Sequence, residues 1–228
     1  MTSFLDIIAG IFIGGILLII AYSALASGNQ AFFNFNSDAM SQERLADISD
    51  IMNYDLRKMG YGVPEVDRFK IVNVAQANRF KFIAQLNLNS KAAIGGVGFY
   101  DANTDTIEYN ITLDEVVNYG DTSLSVYRVE RTLTMPPNAP QTMTVGKIAN
   151  SNVFRYMDQL GNIVTNPLAT KMVEVTLSTF DPRVVLSPAM VSSGTTAADS
   201  TYRREELRRL LRTSFWRQTR LVSRNLRR

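Results

Sequence analysis

Three groups of side chains have types and spacings that could do chemistry. Asp101, Asn103 and Asp105 alternate as oxygen donors and are followed by Glu108, as in a calcium loop. The glycine that such a loop needs at its sharp bend is missing, and the same residues are ordinary turn formers, so a structural turn is the expected role. The second group is Asp6, a lone carboxylate in the first turn of an apolar run, where a charge is costly unless it is paired. A cation at the same depth would satisfy it, either this chain's own amino terminus or a neighbour's. A place at the headgroup boundary also suits it, because negative charge is favoured at a helix N-terminus. The third group is the tail. Residues 202–228 hold ten arginines against Glu205 and Glu206, a net of +8, which leaves fourteen basic against nineteen acidic residues elsewhere, or −5. Such a tail can meet nucleic acid or anionic lipid. Its interleaved Leu207, Leu210, Leu211, Phe215, Trp216, Leu221 and Val222 favour a plainer role, with arginine stems covering apolar surface and their heads in water.

Acid–base and nucleophilic chemistry have little to work with. The chain contains no histidine and no cysteine, which removes the usual general base of serine and cysteine hydrolases, thiolate nucleophiles, Cys-ligated zinc and disulfides. No spacing of Ser, Asp and Lys assembles a nucleophile with its base. The expectation is a protein that is not an enzyme and takes no cofactor.

The element that must position these groups is residues 7–26, IIAGIFIGGILLIIAYSALA, twenty residues without a charge. At about 1.5 Å of rise per residue it spans about 30 Å, the thickness of a hydrocarbon core. Beyond Ser27 the uncharged run turns polar and aromatic, with Asn29, Gln30, Phe32, Phe33 and Phe35, as a helix does on leaving a bilayer. A cleaved signal peptide could use Ala24 and Ala26 as its small-residue site, but it wants a basic lead-in where this chain has Thr2, Ser3 and Asp6. A run this long is also unusual for a buried core helix. A retained membrane helix is therefore expected. Gly10 and Gly14, one turn apart, give it a face that another helix can approach closely.

From Asp38 onward, Met40, Leu45, Ile48, Met52, Leu56 and Met59 recur at helical spacing, with Arg44, Asp47, Asp50 and Asp55 placed mostly on the other face. The spacing predicts one continuous rod of about fifty-five residues, stopped by Gly60, Gly62 and Pro64. Its second half needs a cover, and the remaining chain reads as strands. These are 68–75 and 78–88; 98–100 in a hairpin with 106–113 through the turn at 101–105; 123–134, closed by Pro136, Pro137 and Pro140; 153–157 and 163–165 around Asp158, Gly161 and Asn162; and 171–179. Residues 187–200 read as a linker or exposed loop, followed by a short helix or direct entry into a last strand near 213–224. The domains are then 1–27, the membrane half of the helix; 28–62, its amphipathic half; and 63–228, a β-rich head containing the loop 187–200 and the basic segment 202–228. The fold class is α+β, a long N-terminal helix on an antiparallel sheet.

Three stretches carry a family likeness. Residues 3–14 (SFLDIIAGIFIG) place a short lead-in before an acidic residue and an apolar helix. Residues 42–64 (QERLADISDIMNYDLRKMGYGVP) close an amphipathic helix with Asp-Leu-Arg, a small or apolar pair and Gly-Tyr. Residues 153–158 with Gly161, then 171–177 and Arg224-Asn225, follow in order. In these the chain resembles the type IV pilin-like proteins, most nearly the PilW-like minor pilins, with the J-type pseudopilins of type II secretion as near relatives. The resemblance implies a first helix packed among other pilin-like subunits in a filament core, with a β-sheet head against its outer half. It also implies insertion in the inner membrane with the head outside the cytoplasm, and then an extracellular filament or periplasmic pseudopilus. In that register Asp6 stands for the acidic residue five positions into the mature chain, which family members hold against a neighbour's N-terminal amine during assembly. Family precursors carry a short basic leader ending in Gly. Here Met1 takes that place: Thr2 becomes the first residue if Met1 is removed, and a leaderless chain, a mature-like chain and a start further upstream are all open. A structural minor pilin or pseudopilin is the function implied. The reading from a different class is a single-pass membrane protein whose β-rich extracytoplasmic domain binds a partner without polymerising.

Overall fold

The computed structural model describes residues 2–63, 65–86, 88–94, 97–100, 104–119, 122–179 and 215–222. It forms two compact units, Met1–Met40 and Ser41–Arg228. One helix, α1 (Thr2–Arg57), supplies the first unit and opens the second. It has no internal proline, and it ends where Gly60 and Gly62 take φ of 71° and 68°, a backbone region glycine enters without Cβ strain. The Gly60 N–H donates to the Ile83 carbonyl at 2.8 Å, which fastens the helix exit to the sheet.

In the second unit, Leu45, Ile48, Met52 and Leu56 form the buried stripe of α1, and Met59 in the turn after it is buried with them. They pack in one core with inward residues of a five-stranded antiparallel sheet. Its strands are β1 (Val72–Ala75), β2 (Arg79–Ile83), β5 (Thr106–Tyr119), β6 (Thr122–Thr134) and β7 (Gln141–Ile148), in the order β1-β2-β5-β6-β7. Alternation along each strand sends Phe80, Phe82, Ile107, Tyr109, Ile111 and Val129 to the helix side. A second sheet has the order β10-β9-β8, built from β8 (Phe154–Met157), β9 (Met172–Thr179) and β10 (Phe215–Val222). The Phe80 ring lies 5.4 Å from those of Phe154 and Tyr156, so both sheets share the core. A small pair, β3 (Leu88–Ile94) and β4 (Val97–Tyr100), completes the described strands.

Several expectations need correction. Glu65–Lys70 is a 3-10 helix, so the strand expected at 68–75 begins at Val72. The strand expected at 78–88 stops at Ile83 and a separate one begins at Leu88. The hairpin of 98–100 with 106–113 does not form, because β4 pairs with β3, whereas β5 pairs with β2 and β6. Turn residues mark a reversal without choosing the partner. The buried Ile107, Tyr109 and Ile111 are better served at the sheet centre, flanked by Phe80 and Phe82 on one side and Val129 on the other. The segment 163–165 contributes only a bridge from Ile163 to Met157. The loop 187–200 lies outside the described residues, and the last strand is β10.

β7 was not legible as a strand, since Gly146 interrupts its pattern. At that glycine α1 approaches closely: a Cβ there would lie 2.5 Å from Ile48 Cδ1 and 2.8 Å from its Cγ1. Replacing Gly146 by Val is expected to lower the unfolding free energy by about 1–3 kcal/mol, the usual range for overpacking a core. Urea titration of the full chain in mild detergent measures it, and unchanged stability would contradict the close approach.

Candidate functional site

The first unit carries the sequence candidates Thr2, Asp6, Gly10 and Gly14 at the start of α1. The side chains of Thr2 and Asp6 lie outside the described part of the structure. The helical backbone sets position 6 one turn before Gly10 and two before Gly14, on a common face. At about 100° per residue, Ala21, Ala24 and Gly28 fall within about 40° of the same line, so small residues recur along it, with Leu17 between Gly14 and Ala21. A Cβ added at Gly10, Gly14, Gly15 or Gly28 would meet nothing within 4 Å. Around that row Ile11, Phe12, Leu18, Tyr22 and Leu25 are exposed. The 23 residues Ile7–Asn29 are long and apolar enough to cross a membrane, and 0% of that stretch is buried. Such a surface suits lipid, or helices of its own kind that close on the small-residue row.

The second unit holds α1 in place through a buried polar cluster. Asp55 is 1% exposed. Its carboxylate accepts from the Tyr109 hydroxyl at 2.5 Å and from Arg131 Nε and, at 3.1 Å, Nη2. Burial, and then the neighbouring Asp55 charge, push the Tyr109 phenol far above its ordinary value, while Arg131 opposes them. The hydrogen bond to Asp55 raises the Arg131 guanidinium in turn. The sequence reading set Asp55 mostly with the polar face, and the structure overturns that. The signal was there: Asp55 follows Met52 by three and precedes Met59 by four, which places it on the apolar stripe.

A second buried carboxylate was also missed. Glu174 alternates with Val173 and Val175 and so reads as facing outward, yet it is 1% exposed. Arg220 Nε donates to Glu174 Oε2, and Arg155 Nη1 lies 3.5 Å from Oε1, so the two guanidiniums roof it. The Arg220 head of the basic tail thus engages a buried carboxylate of its own sheet, where a head in water was expected. Arg217, on the opposite face of β10, approaches Asp50 of α1 at 3.6 Å. The rest of 202–228 lies outside the described residues.

Of the calcium candidates, Asp101 and Asn103 lie outside the described residues. Asp105 is buried and its Oδ2 accepts from the Leu86 N–H at 2.7 Å, while its carbonyl accepts from the Ala84 N–H at 3.1 Å. It ties the chain leaving β2 to the start of β5, which is a structural duty. Among the described residues no group of three His, Cys, Asp or Glu side chains is placed to hold a metal ion.

Comparison with family models, curated proteins and solved structures finds no match to this chain.

Two outcomes follow from the buried groups. Arg131→Met leaves the Asp55 carboxylate buried with only Tyr109, and is expected to cost about 3–5 kcal/mol in denaturant unfolding; a loss under 1 kcal/mol would mean that Asp55 finds water. Tyr156 is likewise raised by burial, its hydroxyl donating to the Gln76 carbonyl at 2.8 Å. Because both folded phenols titrate above the unfolded value of about 10, their contribution is full below that pH and is lost as pH rises past it. In an alkaline titration followed by ultraviolet absorbance, Tyr109 and Tyr156 should ionise only together with cooperative unfolding. Ionisation of all nine tyrosines in a protein that keeps its circular dichroism would contradict this.

Proposed function

We propose that this chain is a structural subunit of a membrane-anchored filament of the type IV pilus kind, a minor pilin or pseudopilin, and that it catalyses no reaction. The observation that carries the reading is the exposure of Ile7–Asn29 on a helix that continues unbroken into a stripe buried on a sheet. The first stretch waits in the inner membrane, with the head outside the cytoplasm, and passes from lipid to sister helices when the filament forms. Lipid is as apolar as the helix, so the gain comes from close packing along Gly10, Gly14, Ala21, Ala24 and Gly28. Asp6 sets axial register by pairing with the N-terminal amine of a neighbour, since an unpaired carboxylate at that depth is costly. The likeness in residues 42–64 is supported by what those residues do: Asp55 and Leu56 of the Asp-Leu-Arg motif are both buried against the sheet, and Gly60 makes the helix exit.

The natural absence of cysteine makes the test clean. A Gly14→Cys chain in its native membrane should give disulfide-linked dimers on oxidation, and adding Asp6→Ala should reduce their yield severalfold while leaving the thermal melt of the head unchanged. Monomers alone would favour a non-polymerising membrane protein. A yield untouched by Asp6→Ala would remove the register role.

A further inference from the structure

The outward face of the β10-β9-β8 sheet has a composition that neither the core nor the filament role uses. The unbroken register of β10 against β9 places Trp216, Gln218 and Arg220 on one face, opposite Ser178, Thr176 and Glu174. Arg155 on β8 is paired with Glu174, so Arg155, Glu174 and Arg220 form one row across the three strands. Trp216, the only tryptophan, is 70% exposed. The side chains of Arg220 and Arg155 are 66% and 57% exposed although both reach Glu174. A guanidinium has five N–H donors. Arg220 engages Glu174 through Nε, so among the described residues its terminal nitrogens have no acceptor and can take an outside one. The buried carboxylate therefore acts as an orienter: it holds two guanidiniums at fixed positions and leaves the row with one net positive charge. The strand lies within a segment, 202–228, whose net charge is +8.

We propose that this face binds single-stranded nucleic acid. Trp216 offers a π-face on which an unpaired base stacks, Gln218 offers amide donors and an acceptor to a base edge, and Arg220 and Arg155 take backbone phosphates. Stacking tolerates any base, so recognition is general rather than sequence-specific. A lipid surface fits less well, because the neighbours of Trp216 on this face are Ser178, Gln218 and Thr176 rather than apolar side chains that would enter a bilayer. The proposal is independent of filament formation, since every residue it uses lies in the second unit.

The test uses the full chain in nonionic detergent, where Trp216 is the sole indole reporter. Oligo(dT) of about twenty nucleotides should quench its fluorescence saturably at low salt and more weakly as salt rises. By anisotropy of a labelled oligonucleotide, Trp216→Ala should weaken binding about tenfold or more, and Arg155→Gln should lower the salt slope by about one. The exposed position of Trp216 lets that variant fold, which circular dichroism verifies. Absence of binding, equal binding by Trp216→Ala, or equally tight binding of duplex DNA or heparin each overturns the proposal. A response to phosphatidylglycerol in mixed micelles with none to oligo(dT) overturns it in favour of a membrane surface.

Discussion

A run of 23 residues with an apolar surface and no burial of its own sets the terms for everything else in this chain. Such a surface in water would drive aggregation, so the helix calls for lipid or other apolar helices around it. The chain meets this by making one helix serve two environments. Residues 7–27 of the first unit are almost wholly apolar all round, and in the second unit the apolar positions of α1 narrow to a stripe of Leu45, Ile48, Met52 and Leu56 backed by a sheet. The change from one pattern to the other takes place without a proline or a break in α1.

Apolar packing alone would leave the helix free to settle in neighbouring registers on the sheet, since Leu, Ile and Met are interchangeable at small cost. Asp55 removes that freedom. Its carboxylate has Tyr109 and Arg131 as partners in the observed placement, and sliding α1 by a turn would strand a buried charge. Gly146 adds a steric lock, a gap in β7 that fits Ile48. The same device recurs at Glu174, where a buried acid holds β8 and β10 to β9 through Arg155 and Arg220. In both places the sheet is specified by charge as well as by shape.

Much of this was legible in the sequence. An uncharged run fixes the apolar half of α1, Gly60 and Gly62 mark its end, and period-2 alternation marks β6 and β9 closely. The hairpin expected across 101–105 was wrong because local turn chemistry says where the chain reverses, whereas pairing is decided by which inward faces match: Ile107, Tyr109 and Ile111 match β2 and β6. Glu174 was hidden for a related reason: a carboxylate alternating with buried valines reads as surface until its cations are seen, and Arg155 and Arg220 come from other strands. Asp55 stood on the apolar stripe of the sequence, but its partner Arg131 is far away along the chain. The small-residue row was visible at Gly10 and Gly14, and its extension through Ala21, Ala24 and Gly28 needed only the helix to be continuous.

The central claim is that the apolar half of α1 finds its final surroundings in other copies of the same kind of helix. A nitroxide at Leu17→Cys, on the line of the small residues, reports those surroundings directly in the native membrane or assembled filament. The account requires a label shielded from both oxygen and water-soluble relaxants, with its spectrum broadened by a second label nearby. A label freely reached by oxygen, unbroadened at every protein density, would place the helix alone in lipid and contradict the account.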